Sequence, residues 1–177
     1  MKIGIDVSQL AYEGTGVANY LNSLVSNLLE LDKNNQYVLF YSSLRRGFKF
    51  SNSNFQSNSN VVIKTFRFPP SLLDLLWNKL HVLPIEWLIG KVDVFVTSDW
   101  TEPPTIKAKK ATILYDLIVY KFPKETDRKI VNVQKRKLEW IKKESGMVFC
   151  ISEATKRDAI EILGLKKERL KVLYPGI

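Results

Sequence analysis

The sequence contains very few of the residues that bind metals or form disulfides. Its 177 residues include one cysteine, Cys150, and one histidine, His81. A single cysteine cannot form an internal disulfide or a cysteine-rich zinc site. A single histidine excludes multi-histidine metal sites and any serine–histidine triad that is not built on His81. We therefore expect no resident metal ion.

Long apolar runs are also missing. No run approaches the roughly 20 apolar residues that a membrane-spanning helix requires, and none of signal-peptide length follows the first lysine. The longest candidate, residues 83–89, is interrupted by Pro84 and Glu86. With no export signal and an unpaired cysteine, we expect a cytoplasmic protein.

The chain is nevertheless rich enough in apolar residues to fold, and its positive charge is unevenly distributed. Hydrophobic residues make up 45% of the sequence, which excludes wholesale disorder. Residues 101–177 carry 18 basic and 10 acidic side chains, whereas residues 1–100 carry 9 and 8. This asymmetry favours a partner that bears phosphate groups, anionic lipid or nucleic acid, with a solvated lysine-rich surface as the alternative.

Short apolar runs alternate with amphipathic segments along the chain. The runs have the length of strands and are mostly continuous rather than alternating, which is typical of strands buried on both faces. We predict strands at 2–7, 37–41, 61–66, 93–97, 112–115, 147–151 and 170–173, and helices at 16–31, 72–80, 84–90, 125–144 and 153–163. The order favours an α/β fold, a Rossmann-like open parallel sheet of about seven strands with helices on both faces.

Three details of this pattern can be checked. The apolar positions of the helix at 125–144 are Ile130, Val133, Leu138 and Ile141. His81 is predicted to lie inside a helical segment, as a partly exposed structural residue. The Ser/Asn-rich segment at about 43–60 is predicted to be a mobile loop. Residues 1–177 are predicted to form one domain, and the final Pro-Gly resembles a domain boundary.

A glycine turn, Gly14-Thr15-Gly16, precedes the first predicted helix. Glycines let a ligand approach the backbone, and a helix N-terminus offers free N–H groups to a phosphate or a polar sugar. Asn19 stands where a dinucleotide-binding fingerprint would have its third glycine, and the turn lies too far beyond the first strand for that motif. A purely structural turn is the alternative.

Polar and aromatic residues follow several of the predicted strands. The candidates are Asp6, Ser98, Asp99, Trp100, Tyr115, Asp116, Ser152 and Glu153, and Asn19 of the first predicted helix is counted with them as a residue of the acceptor cleft. The carboxyl ends of parallel strands form one rim, where open α/β sheets bind ligands. Carboxylates, hydroxyls and aromatic faces suit sugar recognition, although helix caps and turns would explain each residue individually.

Six segments resemble, in the same order, the amino-terminal half of family 4 glycosyltransferases, which have the GT-B fold. These segments are IGIDVSQLAYEGTGVANYLNSLVSNL, LLWNKLHVLP, DVFVTSDWTEPP, ILYDLIVYKFP, VFCISEATKRDAIEILGL and VLYPGI. The resemblance covers the whole chain except the Ser/Asn-rich segment. Where family members usually carry His-Asp, this chain has Tyr115-Asp116, and Thr97 stands where the family often has another histidine.

The resemblance implies a retaining transfer of a sugar from a nucleotide-sugar donor to a lipid, glycan or other acceptor, without a cofactor. It implies that this chain is the acceptor-side half, that Gly14 to Gly16 face the donor diphosphate, and that most donor contacts belong to a carboxy-terminal domain absent from this chain. Family members that glycosylate lipids often dock on anionic membranes through this half, for which the basic segment 121–143 is the candidate, with a solvated helix face as the alternative. No nucleic-acid partner is expected, because the aromatic residues that would stack on bases are sparse in this segment. From the residues, a nucleotide-dependent oxidoreductase domain and a basic membrane- or nucleic-acid-binding module stay open as alternatives.

Overall fold

A computed structural model of the chain describes residues 1–48, 60–98 and 100–175. Three of the sequence predictions fall wholly or partly outside these ranges. They are Asp99 on the rim, residues 49–59 of the Ser/Asn-rich segment, and Gly176 in the terminal Pro-Gly.

The core of the fold is an open, wholly parallel sheet of seven strands. The strands are β1 (Lys2–Asp6), β2 (Gln36–Ser42), β3 (Val61–Phe66), β4 (Val94–Thr97), β5 (Lys109–Leu114), β6 (Ser145–Cys150) and β7 (Leu170–Val172). Their order across the sheet is β3-β2-β1-β4-β5-β6-β7, and each neighbouring pair is parallel. The Rossmann-like α/β prediction is confirmed, because this order is that of doubly wound sheets.

Helices lie in most of the described connections between the parallel strands, and β4 is followed by β5 through a loop. The helices are α1 (Gly16–Leu31), α2 (Pro70–Leu73), which continues into a π-helical turn (Asp74–Lys79), α3 (Glu86–Ile89), α4 (Ile118–Lys121), α5 (Arg128–Glu144) and α6 (Glu153–Glu161). Short 3₁₀ turns lie at Ser8–Ala11 and Lys167–Arg169. Asp127 caps α5 by accepting the Lys129 N–H at 2.7 Å, so this helix begins three residues later than expected.

The helices cover both faces of the sheet, as successive residues of β2 demonstrate. Tyr37, Leu39 and Tyr41 pack in one apolar cluster with α1. Val38 and Phe40 pack in another cluster, with the π-helical turn and α3. Because neighbouring side chains of a strand point to opposite faces, these clusters lie on opposite sides of the sheet. A third cluster joins β5 and β6 to α5 and α6.

Two details of the helix predictions were wrong. Val131 rather than Ile130 is buried near the start of α5, and Ile130 is 38% exposed. His81 does not lie inside a helix, because the π-helical turn ends at Lys79 and His81 has a φ of 53°. Its ring is half-buried and stacks on Trp140 at a centroid distance of 3.5 Å, while Nε2 lies 2.9 Å from a Glu144 oxygen. These contacts agree with the structural role that the sequence analysis predicted for His81.

Within the described residues, no helix has both the length and the apolar character needed to cross a bilayer. The same part of the chain brings together no group of three or more His, Cys, Asp or Glu side chains that could hold a metal ion.

Candidate functional site

The strand order creates a crevice at the carboxyl edge of the sheet, between β1 and β4. The chain builds outward from β1 through β2 and β3, then crosses to β4 and builds the other way. Connections on either side of such a point diverge and leave an opening above the strand ends. Asp6 ends β1, and Ser98 directly follows β4. Among the cavities that Trp100 borders, two contain residues from the strand ends, Asp6 in one and Tyr115 in the other.

The first cavity, called here the Asp6 cavity, has a volume of about 400 Å³. Asp6, Tyr12, Arg45, Arg46, Phe68 and Trp100 are among the residues that line it. It combines an acid, two cations and aromatic faces in a volume typical of small-molecule sites. Neither arginine was predicted as a site residue, since the whole Ser/Asn-rich segment was interpreted as a loop.

Asp6 is the buried acid of this cavity, with 5% of its surface exposed. Its Oδ1 accepts a hydrogen bond of 2.9 Å from the Ser8 N–H. Burial raises the pKa of the Asp6 carboxyl, and this outweighs the lowering by Ser8 and by the positive charge of Lys137. A carboxylate with a raised pKa is a better proton acceptor than an exposed one. Asp6 can therefore orient a hydroxyl group by accepting its hydrogen bond.

The second cavity, called the Tyr115 cavity, has a volume of about 240 Å³. Tyr115, Asp116, Trp100 and Lys137 line it, together with Val17 from the first turn of α1. The structure thus brings together three of the predicted rim residues, Trp100, Tyr115 and Asp116. The cavity joins the rim to the beginning of the helix that follows the glycine turn.

Tyr115 is held in place from three directions. Its backbone carbonyl accepts a hydrogen bond of 3.0 Å from the Thr155 hydroxyl. Its ring meets Tyr20 edge to face, with centroids 5.6 Å apart. Its hydroxyl lies 3.4 Å from the Ser98 hydroxyl. A ring fixed in this way presents a defined polar atom at the strand end, which favours a positioning role over a mobile one.

Lys137 is a rim residue that the sequence analysis missed. It belongs to the basic segment interpreted as a candidate membrane surface or a solvated face, yet it is 2% exposed and donates a hydrogen bond to the Ser98 carbonyl. The helical spacing contained a signal, because Lys137 lies four residues after Val133 and four before Ile141. A lysine on the apolar stripe of a helix is either covered or functional. Here it brings positive charge to the crevice beside Asp6.

The glycine turn lies at the same edge and is exposed. Gly14 has a φ of 84°, which only glycine adopts without strain. Thr15 caps α1, since its Oγ1 accepts the Ala18 N–H at 3.2 Å and donates to the Tyr12 carbonyl at 2.9 Å. A Cβ built on Gly16 would meet no atom within 4 Å. The fold itself therefore places no steric demand for glycine at position 16.

The remaining predicted residues make local contacts. Asp116 is exposed, and its Oδ1 accepts the Ile118 N–H at 3.0 Å. Ser152 caps α6 by accepting the Thr155 N–H at 3.0 Å, and the Glu153 carboxylate lies 3.9 Å from Lys156 Nζ. Asn19 is exposed on α1. Their capping contacts agree with the structural alternative stated for individual rim residues.

A buried polar network fixes the loop that carries Trp100. Glu102 is fully buried and accepts hydrogen bonds from Thr97 at 2.6 Å and from Ser145 at 3.0 Å. Lys110 Nζ lies 3.2 Å from the same carboxylate. Asn78 accepts the Glu102 N–H and donates to the Trp100 carbonyl, both at 3.0 Å. We call Thr97, Glu102, Lys110, Thr112 and Ser145 the polar seam. It anchors the wall between the two cavities.

Comparisons with known proteins find similarity among solved structures. No protein-family model and no curated protein matches the sequence. Among solved structures, an α-glucosyltransferase in complex with UDP and a 13-mer DNA containing an HMU base is similar, with 15% sequence identity and a TM-score of 0.46. The alignment covers 100% of this chain and 43% of that structure's chain. The chain therefore spans less than half the length of that structure.

Proposed function

We propose that this chain is the acceptor-side domain of a retaining glycosyltransferase that uses a nucleotide sugar. The observation that carries the proposal is the pair of cavities at the β1–β4 crevice, separated by Trp100. Asp6 supplies a hydroxyl-orienting carboxylate on one side, and Tyr115 supplies a fixed hydroxyl on the other. The six segments that resemble family 4 enzymes supply the reaction class.

In this proposal the acceptor enters the Asp6 cavity and the donor sugar faces the Tyr115 cavity. Gly16 lets the donor diphosphate approach the beginning of α1, where free N–H groups attract anions. A second, carboxy-terminal α/β unit supplies the remaining donor contacts, as the family resemblance implies. The proposal names the nucleotide sugar as a substrate and includes no resident cofactor.

The proposed reaction exchanges one bond at the anomeric carbon for another. The bond from the sugar carbon to the diphosphate oxygen breaks, and a bond to the acceptor oxygen forms on the same face of the ring. The acceptor proton passes to the departing diphosphate. The chain's own groups position the acceptor and stabilise charge, which is the larger part of catalysis in such transfers. Lys137 and the N-terminus of α1 bring the positive charge that the departing group requires.

A dinucleotide-dependent oxidoreductase has the same sheet topology but fits the residues less well. Dinucleotide sites place an acidic residue at the end of the second strand, where it binds a ribose hydroxyl. Here Ser42 ends β2. The glycine turn is also separated from β1 by the Ser8–Ala11 turn, so no tight strand–turn–helix connection is formed.

The test is a screen of nucleotide sugars with the full-length gene product, measuring release of the nucleoside diphosphate in the presence of candidate acceptors. Asp6→Asn is expected to reduce the rate by about 10- to 100-fold, because it removes the charged group that accepts the hydrogen bond of the acceptor hydroxyl. Glu125→Gln, an exposed carboxylate next to α5, is the matched control. Protection of the chain against melting by NAD, with no release of nucleoside diphosphate from any donor, would refute the proposal.

A further inference from the structure

Two arginines line the Asp6 cavity, and a third lines the hollow next to it. Arg45 and Arg46 line the cavity itself, and both also line an adjoining hollow of about 430 Å³ that includes Arg67. Within residues 1–48, 60–98 and 100–175, no carboxylate lies within 4.0 Å of these guanidinium groups. Within the part of the chain that the structure describes, the three guanidinium groups therefore have no ion-pair partner.

The backbone that carries Arg45 and Arg46 is held against the sheet. The buried Tyr41 hydroxyl donates to the Arg46 carbonyl at 2.9 Å and lies 3.2 Å from the Gly47 carbonyl. The Arg46 N–H donates to the Ser43 hydroxyl at 3.1 Å. A cation on fixed backbone loses less conformational entropy when it binds an anion. The backbone of the pair is thus fixed beside the cavity, while both arginine residues are exposed and accessible to a ligand.

The rest of the cavity determines how a ligand would be oriented. Phe68, Pro70 and Trp100 provide apolar walls, and Asp6 lies among the lining residues with most of its surface buried. A negative group is repelled by Asp6 and attracted by the arginines, so it must lie at the arginine end. A hydroxyl group is then directed toward Asp6. The volume of about 400 Å³ suits a molecule of monosaccharide size.

We propose that the acceptor bound in the Asp6 cavity carries a phosphoryl group, which Arg45 and Arg46 bind with support from Arg67. This inference rests on the proposed function and adds the chemical class of the acceptor. Phosphate is favoured over carboxylate because its three terminal oxygens and near-double charge can engage more than one guanidinium group at once. The phosphoryl group belongs either to a soluble sugar phosphate or to a lipid headgroup, and the test separates the two.

The test measures the dissociation constants of glucose, glucuronate and glucose 6-phosphate for the 177-residue chain by calorimetry, without any donor. Glucose 6-phosphate is expected to bind at least about 10-fold more tightly than the other two probes, given the strength of charge-assisted hydrogen bonds. Arg45→Ala and Arg46→Ala are each expected to weaken its binding by about 10-fold. Arg157→Ala, an exposed arginine on α6 that removes the same charge, is expected to leave binding unchanged.

The source of the phosphoryl group is tested with vesicles. Phosphatidylcholine vesicles that contain phosphatidic acid are compared with vesicles of phosphatidylcholine alone in a sedimentation assay. Arg45-dependent binding to the first kind supports the proposal with a lipid acceptor. Binding of glucose 6-phosphate without binding to vesicles supports it with a soluble acceptor.

Three results would overturn the proposal. Glucuronate could bind as tightly as glucose 6-phosphate, or Arg157→Ala could weaken binding as much as Arg45→Ala. A short DNA duplex could bind in an Arg45-dependent way that glucose 6-phosphate does not compete with, which would make the arginines a nucleic-acid surface.

The proposed function and this inference can be refuted independently of each other. Arg45-dependent phosphate binding without transfer from any donor refutes the proposed function alone, whereas transfer to neutral acceptors that survives Arg45→Ala refutes this inference alone.

Discussion

The Lys110 ammonium lies 3.2 Å from the Glu102 carboxylate, with 2% and 0% of the two side chains exposed. Glu144 approaches the same ammonium from the other side at 2.8 Å. A buried pair of this kind gives modest net stability, because desolvation offsets the attraction between the charges. Its removal is costly for the opposite reason, since the remaining charge is left buried without a partner. The polar seam can therefore be tested by removing one of its members.

Lys110→Met is expected to lower the free energy of unfolding by about 3–5 kcal/mol, the usual range when one partner of a buried ion pair is removed. The substitution preserves most of the side-chain volume but leaves Glu102 without its cation. Urea unfolding followed by circular dichroism measures the effect. Lys109→Met is the matched control, because its exposed side chain precedes Lys110 in the same strand. A similar loss in both variants would contradict a specific role for the pair.

Stability should fall in acid partly because of Glu144. Burial raises the pKa of this carboxyl, but the hydrogen bond and charge of Lys110 together with His81 lower it more, so that the net shift is downward. A lowered pKa in the folded state contributes stability above the unfolded value, and this contribution is lost as the pH falls through the folded pKa. Glu144→Gln should flatten the acid limb of stability below about pH 4.5.

The control for this pH measurement is Glu139→Gln, an exposed position on the same helix. Its acid limb should follow that of the unaltered chain. If Glu144→Gln left the acid limb unchanged, the lowered pKa of Glu144 would be contradicted.

Gly16→Val is expected to abolish sugar transfer by the full-length protein while leaving the melting temperature within a few degrees of the original. A Cβ at this position meets no atom of the chain within 4 Å, so a steric effect must come from a ligand. Ala154→Val, in the exposed first turn of α6, controls for a β-branched residue at the start of a helix. Unchanged turnover would refute a ligand-facing role for the glycine turn.

Tyr115→His should maintain or raise the transfer rate if the position is a variant of the histidine found in the enzymes that the sequence resembles. The histidine ring retains a hydrogen-bonding atom and can also carry a positive charge, which tyrosine cannot. The rate is measured with the best donor and acceptor found in the screen, and Tyr115→Phe serves as the comparison. Complete loss in the histidine variant would mean that the tyrosine hydroxyl has a role of its own.

The strands and their arrangement were predictable because buried parallel strands consist of continuous apolar runs. The runs at 37–41 and 147–151 needed only small adjustments to match β2 and β6. The start of β5 was missed by three residues, because the lysines at 109 and 110 do not belong to the apolar run from which the strand was predicted. Lys110 is in fact buried against Glu102. No pattern in the sequence around Lys110 indicates this contact.

Much of the candidate site could not be predicted from the sequence. Tyr115, Asp116 and Trp100 could be assigned to the rim because strand ends are recognisable and lie together in a parallel sheet. Lys137 reaches the crevice from a helix that follows a different strand, so only the packing of α5 reveals it. Arg45 and Arg46 depend on the course of the chain after β2, which Tyr41 fixes through contacts with backbone carbonyls.

The polar seam also favours one register between β4, β5 and β6. Strands β4, β5 and β6 each contribute a polar side chain to the same buried carboxylate. If β5 slipped by one position, Ala111 and Ile113 would face that carboxylate in place of Lys110 and Thr112, since side chains alternate between faces. In the slipped alignment the Glu102 carboxylate would lie unpaired against aliphatic groups, which is costly. The seam therefore favours the observed alignment of the strands over the slipped one.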